Sequence, residues 1–531
     1  MKSRNVVGSR WILAGLVFLG AGAVGAQTPP EPAETGAQAP AVSLEELAAQ
    51  MRQLQATLVE MHAEMERTRT ESAALRKELT ATQEELANVS RKLGDAQVVS
   101  GSAVSTGRGE VSSSPSEQPP AGDAQRVARL EEGVQLLSDK INDQYQTKVE
   151  SGSKYRLRLS GLVLLNVFGN RGTVDNQDMP SLARPRPSLG SGGDFGATVR
   201  QSQLGLQVSG PTFGGARTSG DLSFDFSGGF PSTADGVTMG LVRLRTARVR
   251  LDWKNTSVVA GQDEPFFSPL SPSSLASLAL PAFSYSGNLW VWTPQVRVER
   301  RFAVSEGSSL ALQAGILDPL TGEPPYSQFY RYPQAGERGR QPAYASRVAW
   351  SRKAWGQPLA IGVGGYYARQ NWGFGRNVDS WAATADWSVP LGPRFSWTGE
   401  FYRGRALGGL GGGTGRSVLY SGDLADPASL ILGLNTVGGW SQLKFMATQK
   451  LEFNTAFGED LPFARDLDRY PNSSSYYDPS IGRNQSGFFN MIYRPRSNFL
   501  FSAEYRRLWT ARAYEPTATA DQVNLSVGVL F

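Results

Sequence analysis

Cysteine is absent from this chain and histidine occurs once, as His62. The first absence excludes a disulfide scaffold and every cysteine metal site. The second removes Ser-His-Asp hydrolysis, histidine-based lipase and protease chemistry, and most zinc sites. Beyond residue 24 there is no long apolar run, so no transmembrane helix is expected. Lysine is scarce in the second part: residues 151–531 hold 33 Arg and only five Lys. These gaps leave no catalytic residues, cofactor or metal to predict, and the chain does not read as an enzyme.

What is present points to strands in a membrane. Hydrophobic residues reach 40% and aromatics 10% without forming long runs. Only every second residue of a barrel strand meets lipid, which gives that composition. Asp521–Phe531 shows the pattern: Val523, Leu525, Val527, Val529 and Phe531 alternate with mostly polar residues.

The N-terminus reads as an address. Lys2, Arg4 and Arg10 precede an apolar run from Trp11 to Val24, and Val24-Gly25-Ala26 offers small residues for cleavage. The run is shorter than the roughly 20 residues of a spanning helix. Residues 1–26 are therefore expected to be a secretory signal peptide, and 27–42 a flexible Pro/Ala-rich leader. Ser43 with Glu46 forms a capping box and opens a heptad. Its a positions run from Leu44 through Met51 and Leu58 to Leu93, its d positions from Leu47 to Val89, and twelve of the fifteen are apolar. That period predicts a coiled coil over 43–95, with His62 at an e position. A Ser/Gly/Pro linker (96–122) and a short helical stalk (123–150) follow.

From residue 151 onward sixteen strands are expected, ending with 519–531. Short connections follow the even strands, while six of the eight connections after odd strands are long. This alternation predicts an all-β transmembrane barrel of 16 antiparallel strands, with turns periplasmic and loops outside. An even count leaves both barrel ends in the periplasm, where the coiled coil must lie. Charges cannot face lipid at mid-depth without about 2–4 kcal/mol each. Asp221, Asp225, Arg248, Arg250, Arg297, Glu299, Arg301, Arg347, Asp386, Glu400 and Glu452 should therefore face the lumen. Trp253, Trp290, Trp350, Trp372 and Trp509, near strand ends, are expected in interfacial girdles.

Charge is uneven. Residues 27–150 carry 12 basic and 20 acidic residues, net −8; residues 151–531 carry 38 and 28, net +10. The arginine excess reads either as solvated rim charge, lipopolysaccharide contact included, or as a lumen that favours anions. Loop 263–289 is long and apolar, with almost no charge after Glu264. It either folds into the barrel, with Phe266, Phe267, Leu275, Leu278 and Phe283 forming a constriction, or packs between protomers. Folded inward, it would face Arg248, Arg250, Arg297 and Arg301, which with Arg347 are the pore-lining candidates for selecting anions by charge and forked hydrogen bonds. Glycine-rich RALGGLGGGTGR (405–416) lacks a GK[ST] ending and reads as a mobile external loop. Asp466 and Asp468 make a weak calcium candidate.

The stretches QYQTKVESGSKYRLRLSG (144–161), RQSQLGLQVSGP (200–211), SGDLSFDFSGG (219–229), VVAGQDEPFFSPLSP (258–272) and NLWVWTPQVRVERRF (288–302) resemble the DcaP-like trimeric outer-membrane porins. The resemblance implies homotrimers, uptake of small anionic solutes and a basic constriction at Arg248, Arg250, Arg297 and Arg301. It also implies that Phe531 is the signal read by the barrel-assembly machinery. Outer-membrane lipid and lipopolysaccharide are the surroundings expected, and no nucleic-acid partner. The alternative is an envelope-organising anchor whose coiled coil, about 75 Å for fifty residues, reaches toward the cell wall.

Overall fold

The computed structural model describes residues 148–149 and 155–531, except 189, 232–239, 324–329, 471–479 and 514. The expected signal peptide, leader, coiled coil and linker lie outside the described residues. Of the expected helical stalk only Lys148–Val149 is described, and it is strand, paired with Arg158 and Leu157.

Sixteen antiparallel strands close into a barrel. The first is β1 (Arg156–Arg171). The second, β2, is split into Gly193–Thr198 and Gln203–Phe213. Then come β3 (Ala216–Asp225), β4 (Arg243–Asp252), β5 (Thr256–Asp263) and β6 (Thr293–Ser305). They are followed by β7 (Ser308–Leu317), β8 (Ala343–Ala354), β9 (Gln357–Asn371) and β10 (Asn377–Pro390). The last six are β11 (Phe395–Arg405), β12 (Asn435–Met446), β13 (Leu451–Pro462), β14 (Ile481–Arg496), β15 (Phe499–Arg512) and β16 (Ala518–Leu530). Each pairs with its neighbour, and β16 returns to β1 with Leu165 opposite Val527. Closure leaves no edge, which a sheet in lipid requires.

The last residue reinforces the seam. Phe531 and Gly161 exchange two backbone hydrogen bonds of 2.8 and 3.0 Å. The Phe531 ring lies over Gly161, and a Cβ there would come within 2.8 Å of its Cε1. Glycine at 161 is what lets the ring sit flat on the sheet.

Two-residue turns such as Gly214-Gly215 and Trp355-Gly356 close the hairpins at the turn end. All four take positive φ, 55° and 76° in the first and 49° and 75° in the second, which matches the right-handed twist of the strands they join. Outward positions form an apolar band, including Val163, Val298, Val363, Phe401, Phe489 and Leu525. All eleven charged residues expected to face inward stand on inward registers.

The break in β2 has a local cause. Residues 199–202 leave the ladder, and Ser202 Oγ takes over, accepting from Leu164 N at 2.9 Å. Beside it Arg200 donates to Asp178 of loop 172–192, two of the bonds being 2.6 and 2.7 Å. The break thus turns Arg200, Gln201 and Ser202 into the barrel, where all three are buried.

Two expectations need correction. The glycine-rich segment is not a mobile external loop: Gly408, Leu410 and Gly411–Tyr420 are buried. Its glycines permit close approach; a Cβ on Gly411 would meet Trp290 Nε1 at 2.9 Å, and one on Gly409 would meet Thr321 Cα at 2.8 Å. Nor do all the named tryptophans form girdles. Trp372 packs beside Val378, Val418 and Tyr420 under loop 406–434, and Trp290 stacks edge-on against Tyr285 and Trp292. Both are drawn into loop packing because inward-folded loops bring apolar surface to the mouth.

Candidate functional site in the barrel lumen

Loop 264–292 folds into the barrel and follows the inner wall like a hoop. Each polar residue on the wall takes the next part of it. Thr384 on β10 donates to Phe267 O at 2.5 Å. Glu400 on β11 accepts from Ser268 Oγ and Leu270 N, both at 2.7 Å. Gln442 on β12 accepts from Ser273 N at 2.7 Å. Asn490 on β14 donates to Ser273 O at 2.8 Å, and Glu504 on β15 accepts from Ser274 Oγ at 2.5 Å. Asn166 on β1 donates to Leu275 O at 2.9 Å. Gln201, at the break in β2, donates to Ala276 O at 3.0 Å and accepts from Leu278 N at 2.7 Å. Arg243 and Arg245 on β4 donate to Ala279 O and Leu278 O, at 2.5 and 2.9 Å. A loop buried in a lumen must have its peptide groups satisfied, and these side chains do it.

The apolar residues of the loop fill the space behind it. Phe266 and Phe267 are buried, with Phe267 stacked on Tyr366 at 5.2 Å. Leu275 and Leu278 pack with Leu164, Ile492 and Leu500, and Phe283 stacks on Phe488 at 5.2 Å. Of the two placements open from the sequence, the protein adopts the inward one. Loop 172–192 folds in above it, and there burial pushes the Asp175 carboxyl up, opposed by the backbone N–H groups of Ser181 and Leu182.

The wall from β3 to β10 carries a different lining: a continuous belt of hydrogen-bonded charges. Arg248 donates to Asp221 and to Asp263, each at 2.9 Å. Arg297 donates to Asp263 at 2.7 Å and to Glu299 at 2.9 Å. Gln313 donates to Glu299 at 3.1 Å and accepts from Arg347 at 3.1 Å. Arg347 then reaches Asp386 with bonds of 2.6 and 2.8 Å. Arg250 hangs below, paired with Asp252 and Glu299, and Arg301 donates to Ser257 at 3.2 Å. Arg347 and Asp386 stand on strands separated by β9, so their pair must cross it. It crosses at Gly362, where a Cβ would lie 2.7 Å from Arg347 Nη2.

The five arginines singled out from the sequence thus share one wall, and four of them meet carboxylates. Sequence reasoning missed Asp252, Asp263, Gln313 and Gly362. Asp252 was readable, two residues from Arg250 and so on its face. Asp263 and Gln313 act through cross-strand register, which one strand's pattern does not reveal. The loop anchors Thr384, Gln442, Asn490, Asn166 and Gln201 were missed as well, being neutral. Asp466, the weak calcium candidate, instead accepts from Asn435 N and Nδ2 at 3.0 and 2.8 Å, and no group of three metal ligands occurs among the described residues.

At the Arg248 end of the belt, beside the loop, a cavity of about 990 Å³ stays open, lined by Asp221, Arg245, Arg248 and Asp263 and by Leu275 and Leu278 of the loop. Phe531 and Asn498 lie at its turn end.

No family model matches the chain, and no curated protein does. Among solved structures, the outer-membrane channel DcaP of Acinetobacter baumannii aligns at TM-score 0.54 and 15% identity, over 72% of this chain and 99% of that one. An anion-selective porin from Comamonas acidovorans aligns at TM-score 0.44 and 12% identity, over 71% and 100%. The sixteen-stranded barrel of this chain thus shares its fold with the outer-membrane channel DcaP.

Proposed function

We propose that the protein is an outer-membrane porin through which small anionic solutes diffuse along the gap between the arginine belt and the inward loop. The observation that carries this reading is the cavity left open beside a loop held against the wall by polar side chains. A barrel serving only as an anchor has no need of a loop held at so many points. Because carboxylates accompany Arg248, Arg250, Arg297 and Arg347, the anion preference is modest. Arg248 and Arg250, the more exposed of the four, still have unused N–H groups for a passing anion, while their carboxylate partners are engaged.

The unit we propose is a homotrimer, assembled through recognition of Phe531. Native mass spectrometry of the purified protein gives the stoichiometry. The test of function is planar-bilayer conductance in a salt gradient. Unitary steps with a reversal potential on the anion side are expected. Replacing Arg297 and Arg301 with Gln should move that potential toward cations by several millivolts. Traces without unitary steps would sink the porin and leave the envelope anchor.

A further inference from the structure

We infer that the outer surface around Arg403, Arg405 and Arg465 docks the phosphorylated headgroup of an outer-leaflet glycolipid. This surface lies on the lipid side of the wall and is independent of the pore.

Arg403 and Arg405 stand on the outward face of β11, at its loop end, in register with Val437 and Asn435. The Phe463 ring lies between two cations, 4.3 Å from the Arg403 guanidinium and 5.3 Å from that of Arg465. Arg403 also covers the Trp381 ring at 5.3 Å. Two guanidiniums gathered on one ring repel each other unless an anion joins them.

The protein itself supplies little negative charge there. Arg403 donates to Gly404 O, Thr436 O and Asn435 Oδ1, and Arg405 to Gly433 O. Among the described residues neither has a carboxylate partner. The nearest carboxylate is Asp466, 3.6 Å from Arg465, and this one negative charge stands against the three guanidiniums of Arg403, Arg405 and Arg465. Elsewhere on the same rim the outward charges are matched: Arg369 is opposite Asp379, and Arg507 lies 3.6 Å from Asp521.

The apolar wall beneath points to a lipid. Phe401, Leu443 and Phe457 are exposed on the same outward face, toward the membrane middle. Acyl chains on this band would hold a headgroup at the level of Arg403, where phosphate takes forked hydrogen bonds and neutralises the cluster. A free phosphate would gain nothing from the band.

Native mass spectrometry of the full-length protein with diphosphoryl lipid A, and with its dephosphorylated form, tests this. Wild type should retain the phosphorylated lipid at least about tenfold better, and R403Q/R465Q should lose that preference while unitary conductance is unchanged. Heat-modifiable gel mobility checks folding, and R405Q serves if the double variant does not fold. Equal retention of both lipids by wild type, or unchanged retention by a folded variant, would overturn the proposal. So would complete displacement of the lipid by excess inorganic phosphate.

Discussion

The two sides of the lumen use polar side chains in opposite ways. From β3 to β8 and across to β10, the wall pairs its charges with one another, as in Arg248–Asp263–Arg297 and Arg347–Asp386. From β11 around to β2 the wall turns mainly amides, hydroxyls and carboxylates toward loop 264–292, and one of these carboxylates, Glu504, is itself paired with Arg506. The first side neutralises its charges within itself, and Arg248 and Arg250 are its most open ion-paired arginines. The second is a frame holding the obstruction. The difference teaches that inward polarity in a barrel is not one property. Ionic side chains can be packed against a wall where each is offset by a neighbour of opposite charge, as buried Asp263 is by Arg297. A buried loop's peptide groups need partners of matching geometry and little uncompensated charge.

The largest effect should come from removing the obstruction. Deleting Ser268–Ala282 would take away the hoop and free Glu400, Gln442, Asn490 and Glu504 to water. Unitary conductance is expected to rise severalfold, with cation and anion permeabilities moving together. Unchanged conductance would mean that another loop sets the narrowest point.

A smaller effect should follow from splitting the belt while sparing the loop. Gly362→Ala places a methyl where the Arg347–Asp386 pair crosses β9. Separating one partner of this largely buried pair costs on the order of 1–3 kcal/mol, the price of groups left unsatisfied. A lower thermal midpoint and a noisier open state are expected. Gly362→Ala behaving as wild type in both would show that the pair reroutes around the methyl.

The smallest effect should be a single anchor on the frame side. Asn166→Leu removes the donor to Leu275 O and to Asn524 and Ser526, leaving that carbonyl unpartnered at about 1–3 kcal/mol. More frequent brief closures are expected at unchanged reversal potential. A shifted reversal potential would erase the distinction between the two sides.

The strand map was legible because period-two alternation is imposed residue by residue by lipid on one face and water on the other. Six of the sixteen expected spans, 519–531 among them, differ from those observed by at most one residue at either end. The split of β2 was not legible, since Val199–Ser202 leaves the ladder to serve loops distant in sequence. The inward arginines were legible by parity alone, but their neutralisation was not. Asp263 meets Arg297 only because β5 and β6 pair with Val259 opposite Arg297. The glycines at 408–415 looked like freedom, and in the fold they are proximity.

By itself the sequence determined the barrel, its strand number and which face of each strand turns inward. Those follow from local patterns that any chain in a bilayer must obey. Only the tertiary structure decided that the apolar loop enters the lumen, that the arginines carry carboxylates with them, and that Arg403 and Arg405 face outward without acidic partners. Each of those depends on which residues meet across strands or from distant loops, and a one-dimensional pattern does not contain those meetings.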